Sequence, residues 1–317
     1  MSSESADTPR VQIIQIPAEF AGQRVDNFLF TRLKGVPKSR VYRMLRSGEV
    51  RINGGRVRAE SRLQDGDMLR VPPVRVAERA EVALPTALLQ QRLDDRIVFE
   101  DDAMLVLNKP SGMPVHGGSG VSFGVIEALR HLRPEARFLE LVHRLDRDTS
   151  GLLLVAKKRS ALRVLHELFR DDRVEKRYLA LLAGAWGQKK LLVDAPLEKN
   201  VAQGGERMVR VSRQGKPAQT YFHRQELFAD ATLVEAKPVT GRTHQIRVHA
   251  AHLGHPIIGD ERYGQEETNK AFRRRGLKRL FLHAAKLVIA HPVSGVELRL
   301  HAPLEPELDA FLQQLRR

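Results

Sequence analysis

The stretch HRLDRDTSGLLLVAK, His143 to Lys157, places Asp146 between Arg144 and Arg147 and then runs into an apolar segment, Leu152, Leu153, Leu154 and Val155. A short apolar run entered through Ser and Gly reads as a buried strand. Asp146 is therefore expected at the rim of a sheet, where flanking guanidinium groups hold it ionised and a polyanionic ligand would dock. A carboxylate so placed suits covalent or acid–base chemistry on a nucleotide.

On either side of that strand the chain alternates irregularly between strand and helix. Ile97–Glu100 and Met104–Leu107 flank Asp101-Asp102 as a hairpin, and Phe123, Ile126, Leu129 and Leu132 mark a helix. Leu162, Leu165, Leu168 and Phe169 form a second helical stripe, while Arg177–Leu182, Leu233–Ala236 and Val296–His301 read as strands. No Gly-rich strand-to-helix turn and no regular βα alternation occur. The expected class is α+β, with a mixed, largely antiparallel β-sheet.

Composition limits what such a domain binds. The chain has 317 residues, 42% of them apolar, a formal charge of +15 and a pI near 10.4. That length suggests two domains, and the charge favours nucleic acid over neutral small molecules, with an anionic membrane surface as the rival. The apolar runs are far too short to span a bilayer, so a cytoplasmic protein is expected. With no cysteine, disulfides, zinc ribbons and thiol nucleophiles are excluded.

The charge is concentrated near the start. Arg24–Arg75 holds 13 Lys plus Arg against 5 Asp plus Glu. Within it Val25, Phe28, Leu29 and Leu33 recur at helical spacing, followed by Val41, Met44 and Leu45, with Ser39 as a candidate cap and Gly48 as a stop. Strands are expected at Val50–Asn53 and Val57–Ala59 around Asn53-Gly54-Gly55, and near Met68–Val71. Arg40, Arg43 and Arg46 share a helix face, which is either a solvated surface or a row of phosphate contacts. RVDNFLFTRLKGVPKSRVYRMLRSGEVRINGGRV resembles the S4 RNA-binding domain, a small α/β module that presents basic side chains to folded RNA. The expected layout is a flexible N-terminus to residue 22, this module over 23–75, a Pro-containing linker over 76–92, and a catalytic domain over 93–317.

Four further stretches matter together: NKPSGMPVHGGSG (Asn108 to Gly120), HRLDRDTSG (His143 to Gly151), EKRYLALLAG (Glu175 to Gly184) and GRTHQIRVH (Gly241 to His249). Each alone has an ordinary explanation. Gly117, Gly118 and Gly120 lack the ending of a P-loop, Tyr178 would be a core aromatic, and Arg242 and Arg247 surface cations. Gly241 opens a turn into a helix, whose amide end favours an anion. In order, the four resemble the motifs of the pseudouridine synthase family that acts on large-subunit ribosomal RNA.

That resemblance implies an isomerisation: cleavage of the C–N glycosidic bond of a flipped-out uridine, rotation of the trapped uracil, attachment of C5 to C1′ and loss of the C5 proton. It implies no cofactor and no metal, large-subunit ribosomal RNA as partner, no membrane association, and a monomer. Asp146 matches the family's essential aspartate, which either attacks C1′ or takes a proton from C2′. Arg247 matches the arginine that pairs with it. Tyr178 matches the tyrosine that packs on the base and handles the C5 proton, although a phenol with a pKa of about 10 is a poor base near neutrality without help. Arg144 fills the gap left by the extruded uridine. Lys109, Arg242 and His244 are expected to contact RNA near the pocket.

Other readings use the same residues. Asp146 and Asp148, if extended, would stand about 7 Å apart like a glycosidase pair. His249, His252 and His255 have spacing suggestive of a metal site, without the Glu of a zincin. A catalytically inactive RNA-binding or ribosome-assembly factor would keep the scaffold. Lys270, Arg273, Arg274, Arg275, Lys278 and Arg279 form either a solvated loop or an extra RNA-contacting edge.

Overall fold

The apolar stripes near the N-terminus become helices α1 (Val25–Arg32) and α2 (Lys38–Ser47) in the computed structural model, which describes residues 10–33, 35–74, 93–117, 124–201 and 207–317. The chain divides into two units, Met1–Ala83 and Leu84–Arg317. The expected linker lies outside the described residues, as do residues 1–9, Gly118, Gly120 and Phe123.

In the first unit, α1 and α2 bury Val25, Phe28, Leu29, Val41, Met44 and Leu45 against Ile16, Val50, Leu63, Leu69 and Val71. The sheet order is β1-β4-β2-β3, with β1 at Gln12–Gln15, β2 at Arg51–Ile52, β3 at Gly55–Arg56 and β4 at Met68–Val71. Three local expectations change. Residues 12–15, expected within a flexible terminus, pair with β4 and cover its edge. Asn53 and Gly54 take φ of 49° and 80°, a tight two-residue hairpin turn, so the return strand begins at Gly55 and not at Val57. Ser39 caps nothing, because the helix already starts at Lys38 after Pro37; Gly48 ends it in the left-handed conformation, as its lack of Cβ allows.

The second unit is built on a ten-stranded sheet. Its main path runs β10 (Lys190–Asp194), β13 (Gln219–Leu227), β14 (Ala231–Pro238), β9 (Glu175–Ala183), β15 (Leu282–Ala290), β8 (Ser150–Ala156), β6 (Met104–Lys109) and β5 (Ile97–Glu100). Strand β16 (Glu297–His301) pairs with β15, and β7 (Glu140–Leu141) with β8. Among the described residues only the β15–β8 pairing is parallel, so the sheet is mixed and largely antiparallel. A separate two-stranded ladder joins β11 (Leu197–Val201) and β12 (Arg207–Val211).

Strand β8 is buried along its whole length. Leu153 and Val155 pack with Leu105 and Leu107 on the face covered by α3 (Val125–Leu132), while Leu152 and Leu154 pack with Met104 and Val106 under α4 (Arg159–Arg170). A strand covered on both faces needs a continuous apolar run, which is why LLLV lacks alternation. The other half of the sheet is also covered twice. Ala180 and Leu182 face α5 (Gln245–His252), and Leu181 and Ala183 face α6 (Glu266–Arg274) and α7 (Pro306–Leu315). Tyr178 packs against both front-face clusters, at the seam between the halves. Gly151 sits there too: with φ of 110°, a Cβ would lie 2.3 Å from the Ala284 carbonyl oxygen, so only glycine lets β15 approach β8.

Candidate active site

Asp146 closes the loop between β7 and β8, where its carbonyl accepts a turn bond from the Thr149 N–H at 3.2 Å. Its side chain is 28% exposed, mostly within the protein but reachable from solvent. Two groups face it. Arg247 Nη1 donates to one carboxylate oxygen at 3.3 Å, and His244 Nε2 lies 3.7 Å from the other. The flanking arginines do not take part: Arg144 is exposed and Arg147 pairs with Asp148 at 3.0 Å. The sharp turn at 147–148 also removes the extended geometry that the two-carboxylate reading required.

Arg247 is itself held from behind. Asp260, whose side chain is fully buried, accepts from Arg247 Nε and Nη2 at 2.7 Å each and from the backbone N–H groups of Arg262 and Tyr263 at 3.0 Å. These donors hold the Asp260 carboxyl below the usual carboxylate range despite its burial. The two carboxylates raise the Arg247 guanidinium above its ordinary value against the desolvation that opposes it. The Arg247 guanidinium also stacks on the Tyr263 ring, 5.1 Å from its centroid. Asn269 fixes Asp260 in turn, donating to its carbonyl and accepting from the Gly259 N–H, both at 2.9 Å.

The turn that aims Arg247 is pinned by Gln245. Its amide oxygen accepts from Thr240 Oγ1 and the Arg242 N–H, and its nitrogen donates to the Gln219 carbonyl and to Thr220 Oγ1, all within 3.0 Å. All four amide positions are filled, so this buried side chain fixes where α5 begins. His244, the residue before it, takes φ of 53°, a left-handed conformation uncommon outside glycine. Sequence alone singled out neither Gln245 nor Asp260. The signal for Gln245 lay inside GRTHQIR; that for Asp260 was one carboxylate after the apolar run Ile257-Ile258 and a glycine.

Tyr178 enters from β9. Burial and the charge of Asp146 both push its phenol above its ordinary value, so it stays protonated at neutrality. Lys109, expected to touch RNA, is fully buried. Its ammonium donates to the carbonyls of Pro110, Met113 and Arg147 at 2.7 to 3.0 Å and so ties the 110–113 loop to the Asp146 turn. Burial, aided by Arg279, pulls the Lys109 pKa down to about 7, while Asp148 and Asp146 act in the opposite sense. Arg242 is exposed and donates to the Pro217 carbonyl.

The remaining candidates disperse. His249 bonds Thr220 Oγ1 and the Ala195 carbonyl, His255 bonds the Ala183 carbonyl, and His252 is exposed, so the three rings share no centre. Among the described residues no cluster of His, Cys, Asp or Glu could hold a metal. Arg279 leaves the basic cluster for the interior, donating to Ser150 Oγ at 2.7 Å, and Lys270, Arg273 and Arg275 each pair with an acid. In the N-terminal unit Arg40 is held by Glu49, whereas Arg43 and Arg46 are exposed. A cavity of about 250 Å³ opens away from Asp146, lined by Arg177, Lys190, Tyr221, His223, Glu235 and Lys237. Arg177 precedes Tyr178 on one strand, so this cavity lies on the opposite face of the sheet. Among the described residues no helix is long and apolar enough to cross a membrane.

Comparison with known proteins bears on the same residues. The RNA pseudouridylate synthase family model matches residues 103–252, and the S4 domain model matches 23–69. The chain is 60% identical to ribosomal large subunit pseudouridine synthase C of Yersinia pestis and 59% identical to that of Escherichia coli K12, each match covering 98% of both chains. Among solved structures it is similar to human RNA pseudouridylate synthase domain containing 4, at 28% identity and a TM-score of 0.60 over 73% of this chain and 97% of the other.

Proposed function

This chain belongs to the RNA pseudouridylate synthase family, and we propose that it isomerises uridines of large-subunit ribosomal RNA to pseudouridine with Asp146 as the reacting carboxylate. It is an isomerase with an N-terminal S4 domain. The single observation that carries the assignment of Asp146 is the meeting of its carboxylate with Arg247, from a helix 101 positions further along the chain.

In this scheme Arg247 aims the carboxylate, and Asp260 keeps Arg247 from swinging away. Asp146 attacks C1′ or removes the C2′ proton, and Tyr178 packs on the uracil at the seam of the two cores. A phenol held protonated beside a carboxylate serves first as a flat, rigid wall for the base. Its part in moving the C5 proton waits on an intermediate that supplies the driving force. The isomerisation conserves atoms and electrons, so it consumes no oxidant or reductant. In this scheme Arg144, exposed two residues before Asp146, enters the gap left by a flipped uridine.

The S4 domain supplies phosphate contacts and the second unit the chemistry, in a cytoplasmic monomer. The test is to map pseudouridine in large-subunit ribosomal RNA from cells lacking the protein and from the same cells with the gene restored. Specific pseudouridines should vanish and return; an unchanged map would overturn the assignment.

A further inference from the structure

His244 occupies a position that RNA contact does not explain. Its side chain is only 12% exposed, its Nε2 points at Asp146, and its Nδ1 lies 2.8 Å from the Tyr263 hydroxyl. Tyr263 Oη also accepts the Val209 N–H at 3.1 Å. A phenol has one proton to give. If Tyr263 donates it to Nδ1, the neutral ring carries its own proton on Nε2 and offers it to the Asp146 oxygen that Arg247 does not hold. The opposite tautomer would turn a lone pair toward a carboxylate, which is repulsive. Hydrogen bonding by the other ring nitrogen is the ordinary means by which a histidine tautomer is chosen.

We propose that His244 is a positioning residue for the isomerisation: Tyr263 fixes its ring as the Nε2–H tautomer, and that N–H steers the second oxygen of Asp146. This rests on Asp146 being the reacting carboxylate. A neutral donor orients the carboxylate without draining its charge, as a second cation beside Arg247 would. Asp146, Arg247, Arg262, Asp260 and Tyr263 surround the ring, and burial leads the effects that lower its pKa, ahead of the opposing charge of Asp146. The separation of 3.7 Å is long for a hydrogen bond, so the proposal requires it to shorten in the substrate complex, as catalytic contacts commonly do.

Two substitutions separate this role from a backbone one. Glutamine carries an amide N–H near the place of Nε2, whereas asparagine is too short to reach but tolerates the left-handed backbone of position 244 better. With Asp146 as the reacting group, His244→Asn should lower kcat by about tenfold or more with KM little changed, and His244→Gln should stay within about threefold of the parent. The reverse order would mean that backbone conformation is what the site needs, and a change confined to KM would mean RNA contact; either overturns the proposal.

Tyr263→Phe keeps the ring under Arg247 and removes only the hydroxyl. Loss of the donor to Nδ1 destabilises the neutral imidazole, so the acid limb of the kcat profile should move to higher pH. An unmoved limb would refute the tautomer lock. Asp146→Asn is run in parallel: if it remains active, the assignment of Asp146 has failed, whereas an inactive Asp146→Asn beside fully active His244 variants sinks this inference alone.

Discussion

The two units handle charge in opposite ways. In the N-terminal unit Arg43 and Arg46 stand in solvent, and the core of the fold is apolar apart from Asp26, which Arg24 engages at 2.7 Å. In the catalytic unit the decisive charges lie inside: Lys109, Arg247 and Asp260 are all buried and each is hydrogen-bonded. Holding phosphate requires cations that can exchange counterions for RNA, which only solvated side chains do. Breaking one chosen glycosidic bond requires a charge that cannot move, which only buried partners secure. The proposed function thus segregates affinity and chemistry along one chain.

The strongest challenge to this contrast is Asp146→Asn. It should lower pseudouridine formation on a ribosomal RNA fragment by roughly 10⁴-fold or more while leaving Kd almost unchanged. A matching loss of affinity would show that binding and chemistry are not separate.

Next in size is Asp260→Asn, which leaves the Arg247 guanidinium buried with half its partners. It should destabilise the second unit by about 3 to 5 kcal/mol in urea unfolding. A change under about 1 kcal/mol would mean the pair is no more constraining than a surface ion pair.

Acid should act on the catalytic unit through the buried His283 and the half-buried His143. Burial pulls the pKa of His283 and of His143 down to about 4, below the ordinary histidine value. Between that value and about 6.5 the unfolded chain binds more protons than the folded one, so stability is full above the window and is lost as pH falls through it. For the fully buried His283 the loss is about 3 kcal/mol. Unfolding of the His283→Gln variant, followed from pH 7 to pH 4, should show a correspondingly flatter decline.

The smallest effects belong to the N-terminal arginines. Arg43→Ala with Arg46→Ala should reduce the salt slope of RNA binding by up to about two, with kcat unaltered. The row of three expected from the sequence shortens to two because Glu49 already engages Arg40. An Arg40→Ala variant should therefore change the slope less than either of the others, and the partly exposed Arg40–Glu49 pair should contribute no more than about 0.5 kcal/mol to stability.

Much of the fold was legible where the physics is local. The run LLLV announced β8, the stripes of α1, α2 and α4 announced helices, and the Asn53-Gly54 turn announced a hairpin. Strands with interrupted alternation escaped notice. β13 carries His223, Arg224 and Glu226 and shifts register between Arg224 and Glu226, and β15 buries His283 and shifts between Ala284 and Lys286. A bulge defeats a period-two pattern because it turns every later side chain to the other face. In the site, Asp146, Tyr178 and Arg247 stood out by motif, but the inward course of Lys109 and Arg279 did not, since a cation in a sequence does not declare which carbonyl or hydroxyl will take its protons.

By itself the sequence determined a basic module ahead of a mixed-sheet domain, the strand that follows Asp146, and the family to which they belong. Periodicity and motif are properties of neighbouring residues, and these conclusions need nothing more. Only the tertiary structure decided that Asp260 restrains Arg247, that Gln245 aims the helix bearing it, and that Tyr263 and Asp146 face the two nitrogens of His244. Those partners are set by how helices and loops pack onto one sheet, and the distances that matter join residues with no regular spacing along the chain.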